Sequence, residues 1–215
     1  MSDRRDRAAY AFWTHLDLRE LYPELLLTIH ATIRASVPLM EAAVAAARER
    51  AGTDAVAAGV AAYLARHVSE EQGHDEWLLD DLEALGYSRE RVLRLIPSPT
   101  VAAMVGAQYY WAAHVHPICL LGYLAVLEGE PATVTFLEGV VVRTGLPHAA
   151  FRTFFKHAQL DPHHSAELYA TLDELPLTEE QTTALGLSAM QTVRLLGNSF
   201  EELVKCHMPK MAAAV

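Results

Sequence analysis

Apolar residues recur along the chain with the period of an α-helix. After Pro23, for example, Leu25, Leu26, Ile29 and Ile33 fall on one face of a helix, and similar stripes continue into the C-terminal region. No segment shows the sustained apolar–polar alternation, bounded by turn residues, that predicts a half-buried β-strand. The chain is therefore predicted to be all-α.

Turn residues divide this pattern into separate helices. One helix is predicted to begin at Pro23 and to bend at Pro38, where the proline ring removes a backbone hydrogen bond. A long helix is predicted over residues 53–85, ending before Gly86, because a glycine commonly follows the last helical residue. A further helix is predicted to begin at Ser98 or Thr100 and to end near residue 116, and others are predicted over residues 118–128, 133–143 and 149–160.

The C-terminal region is predicted to carry two helices, because Thr178-x-x-Gln181 and Ser188-x-x-Gln191 both match the capping box that begins many helices. With 215 residues and 52% hydrophobic content, the chain is long enough to bury one core and short for two domains. We therefore expect a single helical domain over residues 1–215. Its core covers about residues 25–175, and helices over residues 178–207 pack on it.

Composition argues against nucleic-acid and membrane partners. The formal net charge is −10 and no basic run exceeds Arg4–Arg5, so the charge pattern of a phosphate-binding protein is missing. The N-terminal segment lacks the apolar stretch of a secretory signal, and the longest apolar run, residues 118–127, is shorter than the ~20 residues that span a bilayer. Cys119 and Cys206 form neither a disulfide framework nor a paired-cysteine zinc motif. We expect a soluble, cytoplasmic protein.

One spacing of polar residues occurs twice. The two copies are His67, Glu71 and His74, and His157, Asp161 and His164. At positions i, i+4 and i+7 of a helix, such side chains share one face. With 11 His and 27 Asp plus Glu in the chain, this pattern is expected by chance only roughly 0.07 times. Each copy therefore presents two imidazoles and a carboxylate to a single point, which is typical of a metal site.

A buried cluster of imidazoles and carboxylates needs a cation, because burial otherwise drives the carboxylates towards their protonated form. Glu128 ends the apolar segment CLLGYLAVLEG and is either a further inward-facing ligand or a solvated helix end. His67 is either a ligand or a partner that orients Glu71. Asp75 and Glu76 are interpreted as solvated surface residues.

Two residues complicate these stripes. Gly73, inside the predicted long helix, costs ~1 kcal/mol relative to alanine, and either close helix packing or room for a ligand beside His74 explains it. Pro162 either kinks the helix of the second stripe or follows Asp161 as the first residue of a new helix. In both cases we expect His157 and His164 to point at one centre.

Imidazole and carboxylate donors without a thiolate favour iron, manganese or zinc. The two stripes and Glu128 supply enough donors for two ions. Three neutral imidazoles and three carboxylates carry a charge of about −3, which two divalent cations convert to about +1 with open coordination positions. Such a centre suits O2 and an anionic substrate. Zinc hydrolysis is an alternative, although all-helical scaffolds with mixed ligands are more often built for iron chemistry.

The segments HVSEEQGHDEWLLDDLEALG, GYLAVLEG and HAQLDPHH resemble those of the heme-oxygenase-like diiron oxidases, also described as iron-containing redox enzymes and related in fold to thiaminase II and the pyrroloquinoline-quinone synthase. The resemblance covers roughly residues 25–175 and implies a bundle of about seven or more helices. It implies metal ligands at Glu71, His74, Glu128, His157, Asp161 and His164, to which this sequence adds His67. It also implies two Fe(II) per chain, the second often held weakly, with O2 as co-substrate.

The resemblance thus implies an O2-activating non-heme diiron oxidoreductase of biosynthesis that acts on a small carboxylate- or amine-bearing metabolite. We expect a small-molecule substrate as partner, and an external electron donor and a homodimer are left open. One alternative is a ferritin-like diiron protein, because Glu71-x-x-His74 and Asp161-x-x-His164 also match the acid-x-x-His motifs of that scaffold, although it needs four long, unbroken helices. Another is a metal-free or heme-binding member of the same fold.

Overall fold

The computed structural model describes residues 2–129 and 132–207, and within these ranges every regular element is helical. The eleven α-helices of the described ranges are α1 (Ser2–Trp13), α2 (Leu18–Ile33), α3 (Ser36–Arg50), α4 (Ala55–Glu71), α5 (His74–Glu83), α6 (Arg89–Leu93), α7 (Pro99–His114), α8 (Cys119–Leu127), α9 (Val134–Thr144), α10 (Arg152–Glu174) and α11 (Glu179–His207), with a 3-10 turn over His148–Phe151. The predicted all-α class is confirmed. The predicted domain over residues 1–215 also includes residues 1, 130, 131 and 208–215, which lie outside the described residues.

Side-chain caps fix the starts of several helices. The side chains of Asp54, Ser98 and Thr133 each accept a hydrogen bond from the backbone N–H three residues later, which satisfies one of the free donors of the first turn. At the start of α11 the predicted capping box forms in both directions, because the Thr178 hydroxyl accepts from the Gln181 N–H at 3.2 Å and the Gln181 side chain accepts from the Thr178 N–H at 3.0 Å.

The second predicted capping box, at Ser188, is wrong. Ser188 is fully buried in the interior of α11 and donates its hydroxyl to the Gln108 side chain of α7 at 2.9 Å. The C-terminal region is therefore one long helix, and the serine joins it to a neighbouring helix. Ser188 has the residue type and the spacing of a capping box. Because it is buried and hydrogen-bonded to another helix, it does not begin a helix.

The prolines of the N-terminal half lie in different places from those predicted. Pro23 lies inside α2, which begins earlier, at Leu18. The chain leaves helical structure after Ile33, and Pro38 falls in the first turn of the separate helix α3. At that position the missing N–H has no helical acceptor to lose, so Pro38 does not bend a continuous helix as predicted.

The predicted long helix over residues 53–85 is interrupted at its centre. Helix α4 ends at Glu71, Gln72 is extended, and Gly73 has φ +86° in the left-handed region before α5 begins at His74. No atom lies within 4 Å of the position that a Gly73 Cβ would take, so packing does not require the glycine. Its backbone conformation does, because a residue without a Cβ adopts positive φ at no steric cost.

Helix α10, in contrast, continues where a break was considered. It runs without interruption through Pro162, and Asp161 is an interior helical residue instead of an N-cap. The predicted helix over residues 149–160 is therefore too short at its C-terminal end. His157, Asp161 and His164 consequently share one continuous helix.

Two apolar cores meet in the molecule. The first core contains buried residues of α3, α4, α7, α8 and α11, for example Leu64 and Leu124. The second contains buried residues of α1, α2, α5 and α9, for example Leu25 and Leu78. The break at Gly73 thus separates a helix of the first core from a helix of the second. Helix α10 lies along both, because Leu168 packs in the first core and Phe154 against the second.

Helix α8 lies unusually close to α11. A Cβ on Gly122 would come within 2.4 Å of the Leu185 backbone carbonyl, so only glycine allows this approach. The contact fixes the short apolar helix whose C-terminal end carries Glu128. None of the helices in the described ranges combines the length and hydropathy needed to cross a membrane.

Replacing Gly73 by alanine is expected to destabilise the protein by about 1–2 kcal/mol, because an L-residue at this φ is strained. Gly106→Ala is the matched control, since Gly106 lies in the interior of α7 and also has open space at its Cβ position; this change is expected to stabilise by about 0.5–1 kcal/mol. Urea unfolding measures both values. Equal effects of the two substitutions would contradict a conformational role for Gly73.

Candidate metal centre

The structure brings all seven predicted ligand residues together where the two cores meet. His67 and Glu71 lie near the end of α4, His74 begins α5, and Glu128 immediately follows α8. The other three, His157, Asp161 and His164, project from α10. His157 is partly buried, and each of the other six is at most 9% exposed.

One half of the cluster joins the start of α5 to α10. His74 Nδ1 lies 3.0 Å from Glu71 Oε2, and His157 Nδ1 lies 2.8 Å from Asp161 Oδ1. The His74 and His157 rings are 5.1 Å apart and nearly perpendicular. The Glu71–His74 pair and the His157–Asp161 pair therefore lie next to each other.

The other half joins α4, α8 and α10. His67 Nε2 lies 3.2 Å from Glu128 Oε1, and the His67 and His164 rings are 4.9 Å apart. Glu71 reaches this half as well, because its Oε1 lies 3.7 Å from His164 Nδ1 whereas its Oε2 faces His74. The two oxygens of a single carboxylate thus face the two halves of the cluster.

Several oxygen and nitrogen atoms of this cluster, of the kind that bind metals, are buried without a hydrogen bond. They are Glu71 Oε1, His74 Nδ1, Glu128 Oε2, His157 Nε2 and His164 Nδ1; the short approach of His74 to Glu71 lacks hydrogen-bond geometry. Each such atom costs ~1–3 kcal/mol, so together they approach the net stability of a whole domain, ~5–15 kcal/mol. Native structures rarely tolerate this, and buried oxygen and imidazole lone pairs facing one point fit a metal cation.

The charges of the cluster perturb its protonation. Burial lowers the pKa of His67, but the hydrogen bond to Glu128 and the charges of Glu128 and Glu71 outweigh burial and raise that pKa to about 9. Burial likewise opposes the net rise in the pKa of His157, which its contact with Asp161 causes. The pKa of Glu71 is lowered, since the neighbouring imidazoles outweigh its burial. Without a metal, protons on imidazoles supply the positive charge.

Sequence reasoning missed several side chains around this centre. Glu70, which is not among the predicted site residues, approaches His67 Nδ1 to 3.2 Å. Tyr63 stacks on the His67 ring at 5.4 Å, and Trp77 stacks on the His74 ring at 3.9 Å. Their spacing of three or four residues from the histidines along a helix is the signal by which they could have been found.

A cavity of about 390 Å³ adjoins the cluster. Glu71, Glu128, His157 and Asp161 line part of it. Most of its remaining wall is apolar and comes from α2, α7, α8, α10 and α11, including Ile29, Ile33, Met104, Leu124, Phe154 and Leu196. Arg5 and Asp6 of α1 contribute further charged groups.

Comparison with known proteins identifies the family to which the chain belongs. A model of the iron-containing redox enzyme family matches residues 34–197, and the chain belongs to that family. The resemblance seen in the sequence motifs is thereby confirmed. No curated protein matches the chain.

Several solved structures share the fold, among them the following two. One is a domain of unknown function with a heme oxygenase-like fold from Shewanella denitrificans, with a TM-score of 0.79 and 19% sequence identity, covering 98% of this chain and 91% of that chain. Another is a TenA homologue from Pseudomonas syringae pv. tomato, with a TM-score of 0.68 and 14% identity, covering 94% of this chain and 90% of that chain. The predicted heme-oxygenase-like helical bundle is confirmed.

The raised pKa of His67 predicts a pH-dependent stability of the metal-free protein. In the folded protein the pKa of His67, about 9, exceeds its ordinary value of 6.5. Protonated His67 therefore contributes its full stabilisation below about pH 6.5, and this contribution is lost as the pH rises through about 9. The difference in unfolding free energy between the native chain and His67→Gln should therefore shrink over this range. Urea unfolding in the presence of a chelator measures it, and a constant difference would contradict the assignment.

Proposed function

We propose that the protein is an O2-dependent non-heme diiron oxidase or oxygenase that acts on a small carboxylate- or amine-bearing metabolite. The proposed ligands are Glu71, His74, Glu128, His157, Asp161 and His164, together with His67. The observation that carries the proposal is the set of buried, unsatisfied donor atoms that face one another across the cluster. Membership of the iron-containing redox enzyme family supports iron as the metal.

Two metal positions, instead of one, are supported by the division of the cluster into halves. His74, His157 and Asp161 would hold a first metal ion, and His67, His164 and Glu128 a second. Glu71 presents one oxygen to each half, so this carboxylate would contribute to both metal sites. The imidazole and carboxylate donors, with no thiolate among them, suit iron.

The protein's own contribution is to hold the metal, admit the substrate and exclude water. Bound iron would supply the O2 activation and one-electron chemistry that amino-acid side chains lack. The apolar wall of the adjoining cavity, with Leu124 and Phe154 among its residues, excludes water from this chemistry and packs against an apolar substrate body. Arg5 and Asp6, in the same wall, pair with each other at 2.8 Å and place an ion pair beside this apolar surface.

The two alternatives account less well for the cluster. A heme needs one proximal histidine, which leaves most of the unsatisfied donors unexplained. A ferritin-like scaffold takes its ligands from four long helices, whereas Glu71 and His74 lie on either side of the break at Gly73. A metal-free carrier would bury these donors without any partner.

Anaerobic titration with Fe(II) is expected to load about two irons per chain. Glu71→Ala should remove at least one of them, because Glu71 faces both halves. Glu76→Ala is the matched control, since Glu76 lies nearby on α5 but is exposed and pairs with Arg89. Inductively coupled plasma mass spectrometry measures the iron. Retention of both irons by Glu71→Ala, or a heme-type Soret band with hemin and no iron uptake, would overturn the proposal.

The class of substrate can be tested before the substrate itself has been identified. The iron-loaded protein, incubated with a cell metabolite extract and O2, is expected to consume a small carboxylate- or amine-bearing compound, as detected by untargeted mass spectrometry. Asp161→Asn, which weakens the metal cluster, is the inactive control. Consumption that continues without O2, or equally with Asp161→Asn, would contradict an O2-dependent reaction at this site.

A further inference from the structure

Glu70 lies outside the proposed ligand set, yet it faces two of its histidines. Glu70 Oε2 lies 3.2 Å from His67 Nδ1 and 3.8 Å from His164 Nε2. The first distance is a hydrogen bond. The second is too long for a hydrogen bond, and a small rotation of the partly exposed Glu70 side chain would shorten it.

The remaining nitrogen of each ring faces the interior of the cluster. His67 Nε2 points to Glu128 at 3.2 Å, and the buried His164 Nδ1 points to Glu71 at 3.7 Å without a hydrogen bond. Each of the two imidazoles therefore has one inner nitrogen directed at carboxylates of the cluster and one outer nitrogen directed at the same Glu70 oxygen.

A neutral imidazole carries one N–H and one lone pair, so the hydrogen bond at one nitrogen decides which nitrogen is free to bind a metal. A carboxylate that accepts the outer N–H keeps the inner lone pair directed at the metal and fixes the plane of the ring. Two histidines that share one such carboxylate are fixed together. Tyr63, stacked at 5.4 Å on the His67 ring, restricts that ring further.

We propose that Glu70 is a positioning residue that accepts the outer N–H groups of His67 and His164 and thereby makes both histidines ligands of the second metal position through His67 Nε2 and His164 Nδ1. The inference rests on the proposed diiron function. It assigns His67 to direct metal binding, and it gives this chain two fixed imidazoles at the second position, where the family resemblance implied weak metal retention.

Metal affinity provides the first test. Glu70→Ala is expected to lower the affinity for one of two bound Fe(II) or Mn(II) ions by ~10–100-fold and to leave the other unchanged, as measured by chelator competition. Glu70→Gln should retain most of the affinity, because the amide oxygen still accepts an N–H. The exposed Glu76→Ala is again the control for loss of a surface charge. An unchanged affinity in Glu70→Ala would overturn the proposal, and so would an equal loss in Glu70→Gln, which would mark Glu70 as a charged ligand.

Nitrogen-15 NMR of the histidine rings provides the second test. With Zn(II) as a diamagnetic probe, His67 is expected to carry its proton on Nδ1 and the metal on Nε2, and His164 the reverse. Metal on His67 Nδ1 would place an ion beside Glu70 and refute the positioning role.

The metal-free protein separates this inference from the proposed function. There, His164 should be protonated on Nε2 in the native chain and lose that preference in Glu70→Ala. If no metal binds the native chain, the diiron proposal fails, while the ring protonation still decides whether Glu70 positions His164. If the protonation of the His164 ring is the same in Glu70→Ala as in the native chain, the positioning role is refuted, whether or not metal binds.

Discussion

Three carboxylates and four imidazoles share a water-poor site only when positive charge lies close to each oxygen. Where the two apolar cores meet, the metal-free chain provides that charge with protons, which explains the raised pKa of His67 and His157 and the lowered pKa of Glu71. Protons satisfy the cluster incompletely, because donor atoms such as Glu128 Oε2 remain without partners. Cations with several coordination positions satisfy more of these atoms at once, and this difference favours metal binding.

The paths of the helices around the cluster determine how its side chains come together. Helix α4 ends at Glu71 and α5 begins at His74, so the turn at Gly73 lets consecutive ligands approach the centre from differently directed helices. Helix α10 instead remains continuous through Pro162 and presents three ligands along one line. Close contact at Gly122 holds α8 against α11, and α8 in turn places Glu128. The break at Gly73, the continuous helix α10 and the close contact at Gly122 thus all position side chains of the same cluster.

Much of this arrangement is encoded in local sequence. The repeated His-x3-acid-x2-His spacing identified six of the residues that the structure brings together. The capping box predicted at Thr178 forms, and side-chain caps at Ser98 and Thr133 begin helices at or next to predicted starts. The break at Gly73 was missed because helical periodicity continues across it, and only the tertiary path of the chain demands a positive φ. Glu70 was missed because an exposed acidic residue in a charged segment looks like any solvated one until the positions of two histidine rings are known.

The position of the cluster between the two cores also affects how the protein folds. Glu71 and His74 belong to helices that pack in different cores, and α10 reaches both, so the ligand side chains come together only when α4, α5 and α10 have docked. A ligand that binds only the docked state stabilises it in proportion to its concentration over its dissociation constant. Metal would therefore act as a cross-link between helices of the two cores, and amide hydrogen exchange in α4, α5 and α10 would record how firmly these helices are held together.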